Sequence, residues 1–192
     1  MKNIFGSKKT WKWRWMSGMG IALLLLLAVA TTSFADDVVG SMTVTGGSLT
    51  IDAVDNPAFP GVTLNGTSQS VSDSIAIDVQ DLRGSGAGWQ LEVTSTTFTN
   101  GTQTLPTTAL SITDVISACD GTTCTDPTNG YLYPLTVPAD ATAPSAVAFF
   151  DAALNTGLGD FTITPTFSLA VPATTYAGTY NSTITLTVAN VP

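Results

Sequence analysis

From residue 75 onward, apolar side chains recur at every second position, and this spacing constrains the fold more than any other feature of the chain. Ile75, Ile77 and Val79 alternate with Ala76, Asp78 and Gln80, and Trp89, Leu91 and Val93 alternate with Gln90, Glu92 and Thr94. Phe161, Ile163, Phe167, Leu169 and Val171 make a longer run interrupted by Pro165; Tyr180, Ser182, Ile184, Leu186 and Val188 make another. Side chains of an extended backbone point alternately to two faces, so each run predicts a strand with one face buried. No segment keeps the three-four spacing of an amphipathic helix for more than a turn or two. Shorter strand candidates lie at residues 42–45, 49–53, 131–137 and 146–150, and residues 109–118 are read as a possible helical turn. Asn65-Gly66, Asn100-Gly101, Asp120-Gly121 and Asn129-Gly130 supply turns where a positive φ is cheap. Many short strands with irregular connections predict an all-β, antiparallel sandwich with Greek-key-like connections, formed as one domain.

The first 35 residues stand outside that pattern and read as a secretory signal peptide. Lys2, Lys8, Lys9, Lys12 and Arg14 form a basic start, residues 21–30 a short apolar run, and Ser33-Phe34-Ala35 a small-residue cleavage site. The apolar run is shorter than the roughly 20 residues that span a bilayer. Cleavage after Ala35 would leave residues 36–192 as the domain, with Arg83 its only base against 14 acids, a net charge of −13. So acidic a chain repels nucleic acid and anionic lipid, which are bound largely through Lys and Arg. Neither nucleic acid nor a membrane span is therefore expected of the mature chain.

The same composition removes most catalytic chemistry. Without His or Lys after the leader, the chain cannot build a Ser-His-Asp or Cys-His site, a Schiff base or a His-containing metal site. Gly84 to Gly88 does not both follow a strand and open a helix, as a phosphate loop must. Two-carboxylate glycosidase chemistry stays open in principle, but the one glutamate, Glu92, falls on the outer face of its strand. The expectation is a protein that is not an enzyme and needs no cofactor. Asp52 and Asp55, Asp78 and Asp81, and Asp120 and Asp126 invite a calcium reading, yet none fits an EF-hand loop. Aspartates in turns commonly bond their own backbone, so no metal site is assigned. Cys119 and Cys124, in CDGTTC, predict a structural disulfide in an exported chain, worth about 2 kcal/mol in the chain-entropy picture.

The stretch DLRGSGAGWQLEV, Asp81 to Val93, carries the most specific signal. With GSLTIDAVDNPAFPGV before it and YAGTYNSTITLTVANVP at the close, it resembles the WxL domain family of Gram-positive surface proteins across nearly the whole mature chain. The family is named for a Trp, any residue, Leu motif, matched here by Trp89 and Leu91. Its second such motif is replaced by Leu186-Thr187-Val188, which keeps the apolar face and loses the indole. The resemblance implies an exported protein held noncovalently on the cell wall through peptidoglycan or another wall glycan, often assembled with other surface proteins.

Trp89, Leu91 and Arg83 are the candidate ligand-binding residues, each with a structural alternative. Trp89 is either a core residue with a partly exposed edge or a flat platform for sugar rings. Arg83 either pairs with Asp81 and pins the glycine-rich loop or touches ligand. Two rivals to wall attachment remain: a pilus- or matrix-like subunit joined through sheet edges, and a module for glycans foreign to the producer's own wall.

Overall fold

Strict alternation of large apolar residues with short polar ones gives two sheets whose inner faces share one core. The computed structural model describes residues 39–53 and 55–191, so the expected leader lies outside the described residues. Val44–Pro192 forms one compact unit, and the described residues 39–43 before it carry no strand. The strands are β1 (Leu49–Ala53), β2 (Gln69–Ser74), β3 (Ile77–Asp81), β4 (Trp89–Thr96), β5 (Leu110–Cys119), β6 (Leu135–Thr136), β7 (Ala139–Asp140), β8 (Val147–Ala152), β9 (Gly159–Val171) and β10 (Ile184–Asn190). Among the described residues there is no α-helix, and so none long and apolar enough to cross a membrane.

One sheet runs β1-β3-β9-β5-β6, with β2 also on β9; the other runs β10-β4-β7, with β8 also on β4. All ladders are antiparallel except the two-residue pairing of β4 with β7. Phe161, Ile163 and Phe167 from β9 and Ile77 and Val79 from β3 meet Trp89, Leu91 and Val93 from β4 in the core. Each such side chain contributes roughly 1.5–3 kcal/mol by leaving water. Phe149 and Phe150, though consecutive, are both buried, because the β4–β8 ladder slips by one residue between Leu91 and Glu92.

Pro165 does not end its strand. β9 passes through it unbroken, and its carbonyl accepts the Ile75 N–H at 3.4 Å. A residue's N–H and C=O leave a strand on the same side, so the donor that proline lacks would face the same neighbour. That neighbour is interrupted there: β2 pairs with Thr166–Val171 and β3 with Gly159–Ile163, leaving Ile75 and Ala76 between the two strands opposite the proline.

Three local expectations are corrected. Residues 109–118 hold no helical turn but nearly all of β5, paired along β9 from Leu169 to Phe161. Alternation is lost there because the ladder slips after Ile112 and the far half of β5 is largely exposed. Residues 42–45 form no strand: Met42 and Val44 are exposed and have no sheet to lie on. Of residues 131–137 only Leu135–Thr136 pairs. The Asn-Gly and Asp-Gly turns are mixed too, with positive φ at Gly66 and Gly101 but not at Gly121 or Gly130.

Candidate functional site

Trp89 opens β4 with its indole turned inward, as its place in the alternation requires, and is 0% exposed. Its Nε1–H donates to the Gly157 carbonyl at 2.9 Å, and its ring lies 5.8 Å from that of Phe150. Burying an indole without a partner for its N–H costs about 1–3 kcal/mol, so Gly157 is as much part of the motif as Leu91. Gly157 has φ +67°, and a Cβ there would sit 2.3 Å from Ala152 Cβ and 2.7 Å from Trp89 Nε1. Only glycine fits. Leu91 is likewise fully buried. The Trp-x-Leu pair is therefore core, without the exposed indole edge expected from the sequence, and a sugar cannot stack on it in this conformation.

The second-motif position lies on the adjacent strand. β10 runs antiparallel to β4, setting Val188 opposite Leu91, Leu186 opposite Val93 and Asn190 opposite Trp89. Leu186 and Val188 are half-buried and pack against the core. The two motif positions thus form one cross-strand apolar patch, and the change from indole to leucine leaves the pairing intact.

Arg83 closes the end of this patch. Its guanidinium binds Asp81 bidentately, Nε to Oδ1 and Nη2 to Oδ2, both at 2.8 Å. It also donates to the Gly88 carbonyl at 2.8 Å and to the Asn190 side chain. Asp81 is buried, and its hydrogen bonds to Arg83 hold its carboxyl below the usual carboxylate range despite desolvation. Arg83 thus pins the glycine-rich loop to the starts of β4 and the end of β10. Gly88 needs no side chain there: with φ +76°, a Cβ would lie 2.5 Å from the Ala152 carbonyl oxygen. The pairing of Arg83 with Asp81 is as the sequence suggested, but nothing in it marked Asn190 as a companion of Arg83 or Gly157 as the partner of Trp89.

This arrangement, a buried Trp-x-Leu beside the closing strand and beneath a glycine-rich loop, occupies a chain whose residues 35–192 match the family model described as WxL domain surface cell wall-binding. The chain belongs to the WxL domain family. No curated protein and no solved structure matches it. Membership makes this WxL protein a wall-associated protein of the cell surface.

A second cluster of this WxL domain lies where β3, β5 and β9 meet. One carboxylate oxygen from each of Asp78, Asp120 and Asp160 falls within 4.8 Å of the others. The disulfide joining Cys119 to Cys124 borders it, and the Asp120 N–H donates to the Asp160 carbonyl at 2.9 Å. The sequence had paired Asp78 with Asp81 and Asp120 with Asp126; pairing across strands groups them otherwise. Asp78 Oδ1 and Asp160 Oδ1 are buried without a hydrogen-bond partner. Burial, followed by the adjacent Asp160, pushes the Asp78 carboxyl above its ordinary range. Three carboxylates are a set of hard oxygen donors of the kind divalent cations take, but acidic clusters are common without an ion, and this one is assigned none.

The raised Asp78 value has a definite sign. The folded state holds its proton more tightly than the unfolded chain, so this group's stabilisation is complete below the ordinary carboxylate range and is lost as pH rises through the folded value. Asp78→Asn removes that loss and offers an amide donor to Asp160. It should raise stability at pH 7.5 by about 1 kcal/mol, or roughly 2–4 °C in melting temperature. The gain should vanish near pH 3.5; a variant that melts below the wild type at pH 7.5 contradicts it.

Three hollows that share Tyr180 in their linings open near the start of β10, where Ile184 pairs with Ser95 at the end of β4 away from Trp89. The largest has a volume of about 560 Å³. Phe59, Tyr176 and Tyr180 line it, with Thr63 and Thr175 at its rim, and Gln103 lines the neighbouring hollow. The Tyr180 hydroxyl donates to the Tyr176 carbonyl at 3.0 Å, tying the loop before β10 into shape. These residues come from three loops distant in sequence; Phe59, Tyr176 and Tyr180 fall in the two outer stretches that carry the family resemblance, but nothing there marked them as lining one groove.

Proposed function

We propose that this WxL domain attaches noncovalently to peptidoglycan after export and serves as a binding module without catalytic activity, in some settings as one member of a surface-protein complex. The observation that carries the reading is the match of residues 35–192 to a surface cell wall-binding domain. Support also comes from the motif itself. Trp89, Leu91 and Arg83 are spent on internal contacts, so in this reading they serve attachment by holding the frame rather than by touching the wall.

Charge shapes the expected binding. With Arg83 bound to Asp81, the domain presents no unpaired lysine or arginine side chain after residue 35 with which to hold anionic wall polymers. Attachment should therefore be insensitive to ionic strength. The purified protein should sediment with purified peptidoglycan and remain bound in 0.5 M NaCl, where the Debye length is about 4 Å. Loss of sedimentation between 0.05 and 0.5 M NaCl would point to ionic attachment and against this account. Concentration-dependent oligomers formed without wall would instead favour a self-assembling subunit joined through its sheet edges.

A further inference from the structure

We propose that the groove around Tyr176 and Tyr180 seats the uncharged sugar chain of the wall, a run of N-acetylated amino sugars. The inference rests on the wall-binding reading above and adds the site and the ligand class. Its first support is charge. The chain after residue 35 carries 14 acids, yet no residue lining the three hollows is charged. Asp73, close by on β2, is spent on the Ala58 N–H at 2.7 Å and lines none of them. A neutral ligand can enter such a surface without desolvating an ion, whereas an anionic polymer meets a strongly negative domain with no cation to receive it.

The second support is the character of the walls. Tyr176 is 65% exposed beside half-buried Tyr180 and Phe59, and Val71 and Leu169 extend the apolar lining. Flat aromatic faces suit the C–H faces of pyranose rings, and an apolar lining suits an acetyl methyl. Thr63, Thr175 and Gln103 provide hydroxyl and amide groups for ring hydroxyls and the acetamide. A concave, mainly apolar site with a few polar groups at the rim is the usual build of a small-ligand pocket, and 560 Å³ lies within its usual range. Tyr176 is exposed, so removing its ring probes the groove without opening the core.

The experiment compares wild type, Tyr176→Ala and Tyr176→Phe in sedimentation with purified peptidoglycan, with soluble N-acetylglucosamine tetramer as competitor. Tyr176→Ala should weaken binding about tenfold, the effect of losing one aromatic contact, with an unchanged melting temperature. Tyr176→Phe, which keeps the ring, should stay within about twofold. The tetramer should displace the wild type. Undiminished binding by Tyr176→Ala, or no displacement by the tetramer, overturns the groove assignment while the wall reading stands. Failure of the wild type to sediment overturns the wall reading, and this inference with it.

Discussion

Trp89→Ala should cost about 3–5 kcal/mol, the usual range for emptying a large aromatic site in a core. Domains have about 5–15 kcal/mol in total, so the variant should be largely unfolded at 37 °C or close to it. The indole is wholly enclosed, its N–H is bonded to Gly157, and Gly157 is held so close that neither can move in to fill the space. Trp89→Phe should cost less, since most apolar contact survives, but it leaves the Gly157 carbonyl without its donor. Urea denaturation followed by circular dichroism measures both. Trp89 is the only tryptophan after the expected leader, so its emission in the wild type should be blue-shifted and unchanged by added peptidoglycan. A Trp89→Ala variant with the wild-type midpoint would remove the structural role assigned to the motif.

Arg83→Met should be nearly as damaging, at about 3 kcal/mol near neutral pH, because it strands the buried Asp81 carboxylate without its partner. The Asp81 carboxyl titrates below its ordinary range in the folded wild type. Its stabilisation is therefore present above that range and lost as pH falls through the folded value. In Arg83→Met the carboxyl can take a proton instead, so the gap between variant and wild type should narrow sharply from pH 7 to pH 3. Adding Asp81→Asn to Arg83→Met should recover much of the loss at pH 7. A pH-independent deficit, or no recovery in the double variant, would show that lost packing of the arginine stem dominates.

Alternation made the strands legible wherever one face is buried and the other exposed along the whole length. That held for β3, β4, β9 and β10, although Ile75 falls before β3, and Tyr180 and Ser182 before β10, outside the strands their runs predicted. It failed for β5, where a register slip and an overhanging half erase the period. It misled at residues 42–45, where apolar residues face water. Site residues were legible only when their partners were near in sequence, as with Arg83 and Asp81. The Gly157 carbonyl beside Trp89, the grouping of Asp78 with Asp160 and the Tyr176 groove all arise from strand pairing or loop meeting across long separations. Local propensity carries no trace of them.

The ladder pattern also bears on how this domain is made. Only one ladder, the two-residue contact of β5 with β6, joins strands that follow one another in the chain. β4 waits for β8 and β10, and both β2 and β3 wait for β9. Closing such long loops must precede any stabilising contact, which places folding in the slow, millisecond-to-second class of β-sandwiches. Until β9 is in hand, β2, β3 and β5 lack the strand that joins them in one sheet, and their apolar faces are open to association with other chains. In a chain made in order from the N-terminus, the larger sheet should therefore be completed late, once β9 has emerged to join β2, β3 and β5.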